Sequence, residues 1–406
     1  MVTVLSMLAF GTAFGLGTTF SVRFVARRIG LVDRPDGRRK FQSQPVALAG
    51  GVAVLVSAFA TLVAAALARP EIAESMDENF EKVLALGVAA IAIVIVGLID
   101  DAVNLRARYK LAGQLGAAFV LVFGGGFAIE EVSAFGTVIP LGSAAVPVAV
   151  FWFVGAMNAF NLLDGMDGLL GTLALIIVGS LAGMAFAGGN PFVGWVAVAL
   201  AGGLVGFLRF NLPPATIYLG DAGSMLVGLC FAALAIGACQ KGPAVAIVAP
   251  TVLLVLPILD TTAAIVRRKL AGRALAASDL GHLHHVLQRA GMTRGRVLAL
   301  VAALGIVAAS GALGGTLLQN DLLAALSAAA VATILVTTGW FGTTEIRLVR
   351  ERVRAMMRAA FGRPVHGDLE SVPQVVWGTF LTCPVAENTY QGHVKNVPHE
   401  PFGTDS

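Results

Sequence analysis

Charge is what this chain has least of. Asp, Glu, Lys and Arg make up only 13% of its 406 residues, against about a quarter in an ordinary soluble domain. With 57% hydrophobic residues and a mean hydropathy of +0.83, that scarcity excludes a soluble globular protein and leaves a polytopic membrane protein. Cysteine is equally scarce. Cys230 and Cys239 fall inside apolar runs and Cys383 in the C-terminal tail, so neither a disulfide framework nor a thiolate metal site is suggested. No fixed-period repeat stands out. The first apolar run is preceded by no charged region and followed by a basic one, the reverse of a signal peptide, so it reads as a retained span.

What the chain has instead is apolar runs of about spanning length. They cover residues 2–22, 46–68, 82–99, 111–129, 146–163, 169–187, 193–208, 222–239, 244–266, 297–318 and 321–341. The expectation is an all-α fold of about eleven transmembrane helices in one membrane-embedded domain, residues 1–341. Residues 342–406 would be a cytoplasmic tail. Its arginine-rich start, 345–361, places Ile346, Val349, Val353, Met356 and Phe361 near helical spacing, which suits an amphipathic helix on the inner leaflet. Beyond 362 the composition predicts disorder.

Orientation follows from the basic residues, which favour cytoplasmic loops. With the N-terminus outside, 25 of the 28 Lys and Arg fall in inner loops or the tail. The outer loops keep Arg69, Lys82 and Lys241, together with Glu71, Glu74, Asp77, Glu78, Glu81, Glu130 and Glu131. This places the C-terminus in the cytoplasm and the protein in the cell membrane, multi-pass. The net charge of +4 is spread along one membrane face, where anionic lipid is the nearer partner; nucleic acid is not expected.

Five polar clusters interrupt the apolar chain, and this orientation puts all of them on the cytoplasmic side. Carboxylates near bilayer depth cost about 2.5 to 3.5 kcal/mol each at a helix centre, so they tend to be kept for function. Asp100-Asp101 ends the third run, with Lys110 close behind. The pair reads either as an ordinary solvated helix end or as an acid/base or cation-linked site facing a phosphate held by Lys110. Asn158, Asn161, Asp164 and Asp167 recur every third residue, and the earlier ones share a helical stripe. Gly165 and Gly168 then let the backbone approach a ligand. The rival reading is asparagines gluing helices and glycines making a turn; four oxygen-bearing side chains exceed that need.

The third cluster runs from Asn211 through Pro213-Pro214 to Gly220-Asp221-Ala222-Gly223-Ser224 at the start of a span. A helix N-terminus there favours an anion such as a diphosphate, although Ser224 and Asp221 could also serve as cap and first-turn charge. Hard oxygen donors such as Asp221 and Asn161 suit Mg²⁺, with Mn²⁺ a conceivable substitute, and phosphates would complete the coordination. That combination points to phosphoryl transfer. Asp260, Arg267 and Arg268 precede His282-Leu283-His284-His285, which follows Asp279. Zinc would need a fourth donor that is not evident; contact of imidazole and guanidinium with a sugar diphosphate is the better reading.

Taken in order, GLIDD with Lys110, NAFNLLDGMDGL, FLRFNLPPATIYLGDAGS, PILD with Arg267-Arg268, and HLHH resemble the polyprenyl-phosphate N-acetylhexosamine-1-phosphate transferases, glycosyltransferase family 4, over residues 1–340. The HLHH loop resembles the WecA/TagO-like branch rather than the peptidoglycan branch, whose cluster usually has three consecutive histidines. The resemblance implies an enzyme that moves N-acetylhexosamine 1-phosphate, most often that of UDP-GlcNAc, onto polyprenyl phosphate and releases UMP.

It further implies Asn161 and Asp221 as Mg²⁺ ligands, and Asp100 and Asp101 beside a lipid phosphate bound by Lys110. Asp164, Asp167 and Asn211 would belong to the nucleotide and metal pocket. Asn158, Gly168, Arg267, Arg268 and His282 would contact substrate, and His284 and His285 would meet the sugar diphosphate. The first inner loop departs from the family where Phe41-Gln42 stands in place of a histidine. A homodimer is compatible with all of this. A transporter would instead place ionisable groups near the midplane, an intramembrane hydrolase would place paired aspartates within its spans, and an aspartyl-phosphate route is the mechanistic rival.

Overall fold

A computed structural model describes residues 1–34, 44–272, 279 and 281–361. Phe41-Gln42 and the tail beyond 361, Cys383 and its expected disorder included, lie outside the described residues. In chain order the helices are α1 (Val2–Ile29), α2 (Gly50–Ala68), α3 (Pro70–Glu78), α4 (Phe80–Val103), α5 (Ala107–Phe119), α6 (Ala145–Leu163), α7 (Leu169–Ala187) and α8 (Pro191–Asn211). They continue with α9 (Gly220–Cys239), α10 (Val248–Leu253), α11 (Val255–Leu270), α12 (Leu283–Arg289), α13 (Arg294–Leu317), α14 (Asp321–Thr337) and α15 (Thr343–Phe361).

Among the described residues, eight of these elements are long and apolar enough to cross a membrane: α1, α2, α4, α6, α7, α8, α9 and α13. The protein is therefore a polytopic, mainly helical membrane protein. The other three apolar runs take different forms. At 111–129 α5 passes into a π-helical turn, Val120–Gly124. At 244–266 the run is divided into α10 and α11 at Leu254, because Pro257 has no N–H to offer the carbonyl four residues back. At 321–341 α14 spans 17 residues.

The fold is not purely helical. Strands β1 (Val32–Asp33) and β2 (Val46–Ala47) form a small ladder, and β3 (Glu131–Ala134), β4 (Thr137–Pro140), β5 (Gln240–Lys241) and β6 (Ala244–Ala246) form a four-stranded sheet in the order β4-β3-β6-β5. The β3–β4 hairpin turns on Phe135 and Gly136, both with positive φ (50° and 78°), as a two-residue type I′ loop requires. This sheet joins the N-terminal side of α6 to the C-terminal end of α9, so it sits at the end of the bundle opposite the polar clusters.

Helix α9 is the centre. Its residues 222–239 are all buried, consistent with a helix that is apolar on every side, and α2, α4, α6, α7 and α8 pack around it. Close approach is purchased with small residues: a Cβ on Gly97 of α4 would lie 2.2 Å from the Cα of Ala222. The peripheral helices leave Phe10, Phe14, Ile91, Ile95 and Phe151 exposed, the surface a lipid environment wants.

Residues 1–353 make one compact unit, which includes α15 as far as Val353. The second unit, 354–406, is described only to 361, the end of α15. On α15, Ile346, Val349, Val353 and Met356 are exposed; the Phe361 side chain lies outside the described residues.

Candidate active site

Four helix ends meet at one point. Asp100 lies in the last turn of α4, Lys110 in the first turn of α5, Asn161 in the last turn of α6 and Asp221 in the first turn of α9. The Lys110 ammonium stands 2.6 Å from Asp221 Oδ2, 2.9 Å from Asp100 Oδ2 and 3.2 Å from Asn161 Oδ1. Asn161 donates from Nδ2 to Asp221 Oδ1 at 2.5 Å and to Ser224 Oγ at 2.9 Å. Three oxygens from three helices thus converge on one cationic atom.

The two adjacent aspartates have divided their work. Asp100 is buried, and its Oδ1 accepts from Leu105 N–H at 2.7 Å, closing the turn that carries Lys110. Asp101 accepts from the backbone N–H of Asp221 (2.9 Å) and of Ala222 (3.4 Å). At the N-terminus of α9 the Asp101 carboxyl group thus satisfies two of the helix's orphan donors.

The second cluster also separates by depth. Asn158 points away from the helix mouth and donates to Gln114 Oε1 and to Val154 O, both at 2.8 Å. Gln114 is itself buried, one turn beyond Lys110 on α5, and was not singled out from the sequence; the Lys110/Gln114 spacing of four residues is the signal that could have found it. Asp164 ends α6. Burial pushes its carboxyl up to about 8, and the charges of Asp221, Asp101 and Asp167 act in the same direction.

Asp167 and Asn211 hold the loop in front of α9. Asp167 Oδ2 accepts from Ala215 N–H at 3.1 Å and pairs with Arg294 at 3.4 Å. Asn211 accepts from Gly168 N–H at 3.1 Å and donates to Ile217 O at 2.9 Å. Gly168, whose φ of 74° suits glycine, is placed by that bond at the start of α7. The same loop pairs with the segment between α1 and α2, since Tyr218 N–H donates to Ala47 O at 2.8 Å.

The histidine turn comes in from α11. His282 stands at the N-cap position of α12, with Nδ1 2.8 Å from Asp260 Oδ2, while Asp260 Oδ1 accepts from Leu283 N–H at 2.8 Å. A proton on Nδ1 facing the carboxylate leaves Nε2 as the nitrogen available to a ligand. His284 lies against the second cluster: a Cβ on Gly165 would be 2.4 Å from its ring. A Cβ after Asp164 would therefore require the His284 ring to shift. Both His284 ring nitrogens are buried without a hydrogen-bond partner among the described residues, and burial lowers its pKa to about 3, with His285 next to it adding to the effect. The His285 ring lies 4.1 Å from that of His284 and is likewise held below its ordinary value, chiefly by burial.

Arg267 and Arg268, expected at substrate, are both buried at the end of α11. Arg267 is engaged by carboxylates: Nε and Nη2 donate to Asp279 Oδ2 at 2.9 and 2.7 Å, and Nη1 pairs with Glu345 of α15. Glu345 is a second residue that sequence reasoning left out of the site.

The oxygen set suits a hard divalent cation. Asp221 and Asn161 already converge on a positive charge, and no group of three or more His, Cys, Asp or Glu among the described residues forms a self-sufficient metal cage. Such a donor set fits an ion that takes one or two protein ligands and completes its coordination from phosphate and water.

The glycosyl transferase family 4 model matches residues 83–238, which include Asp100, Lys110, Asn161 and Asp221. The chain is similar to the probable undecaprenyl-phosphate N-acetylglucosaminyl 1-phosphate transferase of Bacillus subtilis, 32% identical over 295 residues, 70% of this chain and 77% of that one. It is 33% identical over 352 residues to the decaprenyl-phosphate N-acetylglucosaminephosphotransferase of Mycobacterium tuberculosis, covering 78% and 85% of the two chains. The undecaprenyl-phosphate α-N-acetylglucosaminyl 1-phosphate transferase of Escherichia coli K12 is 26% identical over 319 residues, 75% and 83% of the two. With its five motifs gathered at one end of the bundle, the chain belongs to glycosyl transferase family 4, the polyprenyl-phosphate N-acetylhexosamine-1-phosphate transferases.

Proposed function

We propose that the protein transfers N-acetylglucosamine 1-phosphate from UDP-N-acetylglucosamine to polyprenyl phosphate, releasing UMP and leaving a polyprenyl-diphosphate-linked sugar, the first lipid-linked step of a cell-surface glycan. The convergence of Asp100, Lys110, Asn161 and Asp221 at one end of the bundle carries this reading. Eleven membrane passes, an outside N-terminus and a cytoplasmic site belong to the same proposal; the 25 of 28 basic residues on one face support it.

The reaction is an in-line displacement. An oxygen of the lipid phosphate forms a bond to the β-phosphorus of the donor, the bond from that phosphorus to the bridging oxygen breaks, and UMP leaves with the electron pair. The attacking phosphate is largely ionised near neutral pH, so neither Asp100 nor Asp101 has to remove a proton. Lys110, fixed by Asp100, supplies positive charge where phosphate oxygens must approach one another. Asn161 and Asp221 would hold Mg²⁺, which when bound neutralises charge on the diphosphate. Asp101 keeps α9, and Asp221 with it, in register. His284, neutral at pH 7, contributes hydrogen bonding rather than charge, and His282 is oriented toward the donor by Asp260.

The test uses purified full-length protein in detergent with radiolabelled UDP-GlcNAc, with and without undecaprenyl phosphate and with Mg²⁺ or EDTA. UMP release that requires both substrates and stops in EDTA is the expected result. UMP release without lipid, accompanied by a trapped sugar-phosphate enzyme, would replace the single displacement with a two-step route. No release under any condition would sink the proposal.

A further inference from the structure

Arg267 is buried at the end of α11, and its guanidinium is shared between two carboxylates. Asp279 takes the Nε and Nη2 side; burial opposes the charge of Asp279, but the bonds from Arg267 and from Gly281 N–H outweigh it and hold the carboxyl below its usual range. Glu345, from the first turn of α15, takes Nη1. The far oxygen of Asp279 accepts from Gly281 N–H at 2.9 Å. A Cβ on Gly281 would lie 2.4 Å from Arg267 Nε, so the backbone of this turn rests directly on the guanidinium. The next residue is His282.

We propose that Glu345 is a positioning residue for the transfer reaction, completing a clamp on Arg267 that holds the histidine turn in its working place. The clamp has a visible logic. Asp260 and Arg267 lie two turns apart on one face of α11 and grip the N-terminus of α12 at adjoining points: Asp260 at His282 and Leu283, Arg267 through Asp279 at Gly281. Asp279 alone engages one edge of the guanidinium. Glu345 engages the other and blocks rotation of the plane on which Gly281 sits. The displacement it prevents would be passed along α12 to His284, which is packed on Gly165 beside Asp164. Two turns further along α15, Arg352 donates to Leu270 O at 3.1 Å; it docks the helix without touching the clamp. This inference rests on the proposed donor site and adds the C-terminal helix to the parts that maintain it.

The experiment compares Glu345→Ala, Glu345→Gln and Arg352→Ala in the full chain. Glu345→Ala should raise KM for UDP-GlcNAc about tenfold, with kcat and the KM for polyprenyl phosphate little changed, as expected when a remote contact misplaces a binding element. Glu345→Gln, which keeps an acceptor for Nη1, should fall between it and the parent. Hydrogen exchange of residues 281–289, measured without substrate, should be faster in Glu345→Ala and unchanged in Arg352→Ala. Unchanged KM and exchange in Glu345→Ala would overturn the clamp. So would an equal effect of Arg352→Ala, because helix docking alone would then explain it. If Glu345→Ala does not fold, Glu345→Gln is judged by the same readouts. A parent without transfer activity would defeat the proposed function, and the exchange measurement would still decide the clamp.

Discussion

At the residue scale, the same chemical group does different work according to which donors reach it. Asp221 faces a cation and Asp101, its partner across the α4–α9 contact, faces backbone N–H groups. Asp221→Ala is therefore expected to keep the parental melting temperature in detergent and to lose transfer by at least about 100-fold, since it removes a group aimed at charge that develops in the reaction. Asp101→Ala should instead lower stability by about 1 kcal/mol, the usual cost of a lost helix cap, and Asp101→Asn should recover that loss; thermal unfolding of the two variants checks it. The sequence motif named both aspartates, and only the donors around each distinguish them. His284 provides a pH prediction. Its folded pKa, about 3, lies below the ordinary value near 6.5, so between these two values the unfolded chain binds more protons than the folded one. The stabilisation is thus complete above pH 6.5 and is lost as pH falls from there toward 3, with a limiting slope of about 1.4 kcal/mol per pH unit. Melting temperatures measured from pH 7 to 5 should fall less steeply for His284→Phe than for the parent, and equal slopes would refute the assignment.

At the element scale, helix ends carry the polar groups and glycines set how closely the helices approach. Gly97 lets α4 touch α9 one residue from Asp221, and Gly165 lets α12 seat His284 on the α6–α7 loop. A methyl at Gly97 meets backbone, which cannot yield as a side chain does. Gly97→Ala should therefore cost about 1 to 3 kcal/mol by overpacking, seen as a lower melting temperature, and should reduce transfer by moving Asp221. Both glycines stand inside motifs that were legible in the chain. Their partners were not, because Gly165 and His284 are separated by more than a hundred residues and no local periodicity links them. The interruption at Leu254 has the opposite status: Pro257 was visible in an apolar run, and its consequence for the helix follows from the missing N–H.

At the scale of the whole molecule, the asymmetry of basic residues makes an orientation that can be measured. With Cys230, Cys239 and Cys383 replaced, a cysteine placed at Lys241, in β5 of the four-stranded sheet, should react in intact cells with a membrane-impermeant maleimide. A cysteine at Arg108 should react only after permeabilisation; the reverse pattern would invert the topology. The second unit beginning at residue 354 does not alter this test, because both probes lie in the first.

The sequence by itself determined that the protein lives in a membrane, where its long apolar runs lie, and which five polar clusters interrupt them. These are consequences of hydropathy and residue type, which need no neighbours to be read. The tertiary structure alone decided that Lys110 lies between Asp100 and Asp221, that Asn158 turns inward to Gln114, and that Glu345 of the C-terminal helix reaches Arg267. The reason is physical: a buried charge or amide must find a partner, and which partner it finds depends on where distant segments pack.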